Sequence, residues 1–258
     1  MRLLIRVAKE AQRKYFHRTS CYRFTSEGST LRKGPVEECK WLCGSSQNIL
    51  SAVREQVEVR QNFISEEEEN ALFKEVEKGL RKKRYEFDHW DDVGNTKNVF
   101  LAILHRLPFN LNRNRHNVNA IHGYRETERL QWGDVCESIL RRVRAVAFPE
   151  GSPLLGPVHV LDLDKLGYIK PHIDSVKFCG STIAGLSLLS DSVMRLVQEN
   201  NSADWVDLLL NRRSLYILRD DARFKFTHEI LKDEESFFSG QRVPRHRRIS
   251  VICRNLPV

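Results

Sequence analysis

The stretch PVHVLDLDKLGYIKPHIDS, residues 157–175, sets the architecture. Val, Leu and Ile recur in short runs, and Gly167 and Pro171 interrupt them, which is the texture of strands divided by turn residues. Its end carries His172-Ile173-Asp174. On a strand the side chains at i and i+2 point the same way, so an imidazole and a carboxylate converge on one point. A lone His-x-Asp is also what two neighbours on a surface strand look like. The rest of the chain has to decide its meaning.

Toward the C-terminus the same texture returns in SVMRLVQ (192–198), WVDLLL (205–210), SLYILRD (214–220), FKFTHEI (224–230) and RRISVICR (247–254). Short β-rich segments spaced by turns predict a mainly antiparallel sheet system of sandwich or jelly-roll type. Toward the N-terminus lies FISEEEENALFKEVEKGLRKKRY (63–85). Ser65 and Glu68 form a capping box, the acids sit at the positive end of the helix dipole, and Leu72, Val76 and Leu80 make an apolar stripe, so a helix is expected over about 65–83. A second helix is expected over about 132–147, with Val135, Ile139, Val143 and Val146 as its buried stripe. Helices first and strands later predict helices outside a β core, an α+β fold that is mainly β. Residues 35–60 are polar and irregular and read as a linker. Residues 94–119 are rich in Asn and poor in acid and read as an insertion.

The chain has 258 residues and a formal net charge of +8. Nine Lys/Arg and two Asp/Glu lie in residues 1–34, which leaves 33 basic and 32 acidic residues for 35–258. The excess positive charge is therefore local and is not a nucleic-acid signature of the folded part. In the first segment Arg2, Arg6, Lys9 and Arg13 recur at helical spacing beside Leu3, Val7 and Ala11, with few acids, which fits a mitochondrial transit peptide. No apolar run approaches the length of a membrane-spanning helix. The six cysteines show no CxxC or paired spacing, so neither a disulfide scaffold nor a zinc ribbon is supported, and reduced thiols suit the mitochondrial matrix or cytosol.

Three features add to His172 and Asp174. His228 lies in a strand-like segment 54 positions after Asp174. Two His and one carboxylate occupy one face of an iron ion and leave positions open, the facial triad used for oxygen chemistry. In RRISVICR, Arg248, Ser250, Ile252 and Arg254 share one strand face. Guanidiniums that project into a β core need an anion, and a dicarboxylate supplies one. Tyr216 could donate its hydroxyl to the same anion; by itself it is also a typical core tyrosine. His159 alternates with apolar residues and reads as a core or rim histidine. RVPRHRR (242–248) reads as a solvated loop, or as a contact for RNA phosphates.

The order H-x-D, about fifty residues, H, then R-x-S-x-x-x-R resembles the AlkB family of Fe(II)/2-oxoglutarate-dependent dioxygenases. SLYILRDDARFKFTHEI, RYEFDHW, IHGYRETE and HEILKDEESFF add to the resemblance, which is closest to a mitochondrial branch of the family and spans roughly 60–93 and 120–257. The resemblance implies a dioxygenase domain over 61–258 with a double-stranded β-helix core. It implies iron held by His172, Asp174 and His228, with no catalytic side chain beyond these ligands. The far carboxylate of 2-oxoglutarate would meet Arg248, Arg254 or both, with Tyr216 and Ser250 nearby. O2 would be the third reactant, and succinate, CO2 and a hydroxylated substrate the products.

This chain departs from the family's nucleic-acid demethylases in three places. Ser250 and Ile252 replace the Asn and Thr of R-x-N-x-T-x-R. Leu161 and Leu163 stand where an Asn and a Tyr touch the cosubstrate. Residues 94–119 interrupt HWDD…AIHGYRE, which runs on in the relatives. AFPEGSPLLGP (147–157) is too short and too poor in aromatic and basic residues for a base-flipping lid. These features favour a protein substrate over nucleic acid and argue against duplex DNA. Methylated mitochondrial RNA remains an alternative substrate, and a non-catalytic scaffold an alternative role.

Overall fold

The structure, a computed structural model, describes residues 40–87 and 121–257. The basic N-terminal segment and the insertion at 94–119 lie outside the described residues. In chain order the elements are β1 (Leu42–Gly44), α1 (Gln47–Val53), β2 (Val57–Arg60), α2 (Glu66–Leu80), β3 (Ile121–Arg129), α3 (Asp134–Ala147), β4 (Val158–His172), β5 (Thr182–Leu188), β6 (Ser192–Gln198), β7 (Asn201–Leu210), β8 (Ser214–Arg219), α4 (Asp220–Phe224), β9 (Phe226–Ile230), β10 (Phe237–Phe238), β11 (Gln241–Arg242) and β12 (Arg248–Arg254).

Ten of the strands form one antiparallel sheet in the order β1-β7-β6-β9-β4-β12-β5-β8-β2, with β3 also paired to β4, and β10 and β11 pair separately as a two-stranded ribbon. β4 joins the two halves. Its first part lies between β12 and β3, and its end pairs with β9. The sheet curls until β2 and β8 touch β7, which gives the double-stranded β-helix. Alternation then sorts the side chains. On β8, Tyr216 and Leu218 face the interior with Leu161, Leu163, Leu196 and Leu208, while Leu215 and Ile217 face the helices. On β12, Ile249, Val251 and Cys253 pack under α2 and α3, so Arg248, Ser250, Ile252 and Arg254 point inward.

α2 begins as expected, with Ser65 Oγ accepting from the Glu68 N–H and the Glu68 carboxylate accepting from the Ser65 N–H. Leu72, Val76 and Leu80 are fully buried. Two acids that look like surface residues are not. Glu69 is buried and accepts from the Leu189 N–H at 2.7 Å and Arg212 Nε at 2.6 Å, which ties α2 to the sheet. Asp162 is buried and accepts from the Tyr85 hydroxyl, Arg125 and Arg247, and Arg247 also binds Glu77. Breaking such a network leaves an uncompensated buried charge.

Two expectations are corrected. Residues 42–60 are not a linker: β1 pairs with β7, β2 with β8, and α1 contributes Ile49, Leu50 and Val53 to the interior. Short strands are held by backbone hydrogen bonds, so a polar texture does not reveal them. On α3, Val135 is exposed, and the buried stripe is Cys136, Ile139, Leu140, Val143 and Ala147. Among the described residues no helix is long and apolar enough to cross a membrane.

Candidate active site

β4 ends at His172, directly opposite His228 of β9 in the ladder, and the ring centroids are 4.2 Å apart. Asp174 follows two residues past the strand and turns back toward both rings. Its Oδ1 lies 3.3 Å from His172 Nε2 and 3.7 Å from His228 Nε2. The three potential ligand atoms all lie within 4.8 Å of one another, so the residues singled out in the sequence do converge.

Their protonation suits a cation. Burial pushes the His228 pKa down to about 3, and His172 adds to this, so the His228 ring is neutral. Burial pulls the Asp174 carboxyl the other way, but Arg254 and the two imidazoles outweigh it and hold it well below the usual range. His172 Nδ1 lies 2.9 Å from the Lys170 carbonyl. In the neutral ring Nδ1 donates there and Nε2 keeps its lone pair. Neutral imidazoles and an anionic carboxylate form a donor set for a divalent ion of intermediate softness. Arg254 Nε donates to Asp174 Oδ2 at 2.8 Å, so Oδ1 is the oxygen left for a metal.

The two inward arginines of β12 differ. Arg254 is committed to Asp174. Arg248 is buried; its Nε donates to Ser187 Oγ at 3.0 Å, and its Nη2 has no hydrogen-bond partner. Burial pulls the Arg248 pKa down, with the Tyr216 phenol as its polar neighbour, and burial raises the Tyr216 pKa. Among the described residues no carboxylate pairs with Arg248. A buried guanidinium without an anion is costly, and its unused N–H fits one carboxylate. Gly185 makes room for this arrangement: a Cβ there would stand 2.4 Å from the Tyr216 ring and hydroxyl. Ser250 is buried between Ser187 on β5 and Leu161 on β4, and Leu163 lies opposite Arg248. Leu161 and Leu163 give the interior beside Arg248 an apolar wall, next to the hydroxyls of Ser187 and Tyr216.

Sequence reasoning missed Arg223. It is fully buried and reaches the carbonyls of Ser175, Cys179 and Gly180, which fixes the loop that follows Asp174. Its segment reads as a polar turn, and only its place five residues before His228 hints at a role. RVPRHRR is not a free basic patch. Arg242 pairs with Asp233, Arg245 is buried against backbone carbonyls, Arg247 binds Asp162 and Glu77, and Arg248 faces the interior. Cys43, Cys136, Cys179 and Cys253 are buried, and burial pushes the Cys136 thiol up to about 12 and Cys253 up to about 11, which keeps these two thiols protonated and unreactive.

A sequence profile of the 2OG-Fe(II) oxygenase superfamily matches residues 56–254. Mouse (Mus musculus) alpha-ketoglutarate-dependent dioxygenase alkB homolog 7, mitochondrial, is 53% identical over 219 residues, 85% of this chain and 87% of its own length. The cattle (Bos taurus) protein of the same name is 52% identical over 84% of this chain and 86% of its own. The solved structure of OsALKBH1 aligns over 77% of this chain and 97% of its own, at 11% identity and a TM-score of 0.49. Enzymes of this superfamily use Fe(II), 2-oxoglutarate and O2. The chain belongs to the 2OG-Fe(II) oxygenase superfamily and is a dioxygenase of the alkB homolog 7 type.

Proposed function

We propose that this dioxygenase hydroxylates a protein substrate in the mitochondrial matrix and forms succinate and CO2 from 2-oxoglutarate. In this reading His172 Nε2, Asp174 Oδ1 and His228 Nε2 hold the iron. Arg248 binds the far carboxylate of 2-oxoglutarate, with Tyr216 and Ser250 beside it. Arg254 serves the metal ligand Asp174 rather than that carboxylate. Bound Fe(II) supplies the oxygen activation that couples decarboxylation of the 2-oxo acid to C–H hydroxylation. The buried leucines 161 and 163 keep water from the cosubstrate. The observation that carries the reading is the pairing of a convergent His/Asp/His cluster with a buried arginine that lacks an anion.

Three features support a protein substrate. Arg242, Arg245 and Arg247 are engaged by acceptors of the chain itself. Glu126 and Glu128 of β3 stand near Arg254 and His159, where a phosphate backbone would be repelled. Residues 35–258 are close to neutral. The matrix location rests on the basic first segment and on the names of the mouse and cattle relatives.

The test is mass spectrometry of mitochondrial extract incubated with the enzyme, Fe(II), 2-oxoglutarate and O2. A 16 Da gain on a protein, absent with His172→Ala, supports the reading. Formaldehyde released from methylated mitochondrial RNA, with no protein mark, replaces it with RNA demethylation. No succinate above the His172→Ala background points to a scaffold.

A further inference from the structure

Asp174 is the inner end of a longer line of polar contacts. Arg254 Nε donates to its Oδ2 at 2.8 Å, Arg254 Nη1 lies 3.4 Å from His159 Nδ1, and His159 Nε2 lies 2.8 Å from Glu126 Oε2. The line crosses β12, β4 and β3 and runs outward. Side-chain exposure rises from 12% at Asp174 and 14% at Arg254 to 19% at His159 and 38% at Glu126, so its outer members can be changed without opening the core.

Proton positions follow from the donor inventory. A guanidinium only donates, so His159 Nδ1 must present its lone pair to Arg254. The His159 proton is then on Nε2, where it donates to the Glu126 carboxylate. Glu126 thus fixes the tautomer of His159, and His159 fixes the fork of Arg254. Arg254 occupies Oδ2 of Asp174 and leaves Oδ1 toward the imidazoles. The two ends of the line are carboxylates, which eases the placing of a guanidinium beside a divalent cation. Groups behind a metal ligand commonly set its orientation.

We propose that His159 and Glu126 are positioning residues for the metal centre: together they hold Arg254 so that Asp174 binds the metal through one oxygen. The proposal rests on His172, Asp174 and His228 being the metal ligands. Neither His159 nor Glu126 touches the metal, the cosubstrate or the substrate in this role.

The test uses the full chain and Co(II) as an optical probe. Absence of Co(II) binding by the wild type removes the ligand assignment and the proposal together. With wild-type binding established, His159→Leu and Glu126→Ala are each expected to weaken Co(II) affinity about tenfold, the low end for groups behind a ligand. Both should change the ligand-field spectrum, because Asp174 becomes free to bind through both oxygens. His159→Asn places an amide oxygen where Nδ1 stood and is expected to remain within about threefold of wild type. Thermal unfolding of the metal-free variants, which should match the wild type, separates positioning from folding. Wild-type Co(II) affinity and spectrum in His159→Leu overturn the proposal. So does a His159→Asn variant that binds as weakly as His159→Leu.

Discussion

Replacing Arg248 with Met should move stability and cosubstrate binding in opposite directions. In the protein without 2-oxoglutarate, Arg248 is a buried guanidinium with Nη2 unpaired, contacting the hydroxyls of Ser187 and Tyr216. An unsatisfied buried group costs about 1–3 kcal/mol, and the hydrogen bond lost to Ser187 returns about 1 kcal/mol of that cost. Exchange of an uncompensated buried charge for an apolar side chain of similar length is often neutral or stabilising by about 1–4 kcal/mol. The free variant should therefore unfold within about 1 kcal/mol of wild type or be up to about 2 kcal/mol more stable. Removal of the cation opposite a buried carboxylate costs about 2–4 kcal/mol of binding, which is about 30-fold to 1,000-fold in affinity. Urea unfolding of the metal-free protein gives the first quantity, and anaerobic calorimetry with Mn(II) and 2-oxoglutarate gives the second. Wild type should prefer 2-oxoglutarate over 2-oxopentanoate, and the variant should lose that preference. A variant destabilised by more than about 2 kcal/mol, with cosubstrate affinity unchanged, would show Arg248 to be structural and refute the reasoning.

Gly185→Ala puts a methyl group against the Tyr216 ring; a loss of about 1–3 kcal/mol in urea unfolding is expected, with weaker 2-oxoglutarate binding, and wild-type values in both would contradict the placement of Tyr216. Arg223→Met removes the donor to three carbonyls of residues 175–180. Amide exchange in that loop should accelerate and Co(II) affinity should fall, whereas protection unchanged from wild type speaks against the clamp. Metal-free stability should carry two opposed pH terms. His228 falls from 6.5 to about 3 on folding, so its contribution is present above pH 6.5 and lost as pH drops toward 3. Glu229 rises from 4.5 to about 7, so its contribution is present below pH 4.5 and lost as pH climbs through 7. Glu229→Gln should therefore steepen the rise of stability with pH across the overlap, and His228→Gln should reverse it, both read from urea unfolding at several pH values.

The parts of the site legible in the sequence were those that follow strand parity. His172 and Asp174 two apart, and Arg248, Ser250 and Arg254 on one face of β12, needed only the alternation of a strand. His228 entered because a third ligand had to come from another strand-like segment. Long-range pairing was not legible. That β9 sets His228 opposite His172, and that Arg254 rather than Arg248 is spent on Asp174, depends on a ladder between distant segments. Polar residues with buried partners were misread for the same reason. Glu69, Asp162, Arg223 and Arg245 look solvated until the strands that cover them are in place. The strands of 42–60 were missed because β1 has three residues and β2 four, too short for a period to show.

The most direct test of the account is a crystal structure of the protein with Mn(II) and 2-oxoglutarate, grown without oxygen. Manganese should sit on His172 Nε2, Asp174 Oδ1 and His228 Nε2, and the far carboxylate of the cosubstrate should lie on Arg248 with Tyr216 beside it. Manganese held by other groups, or a far carboxylate bound to Arg254 while Arg248 stays unpaired, would contradict it.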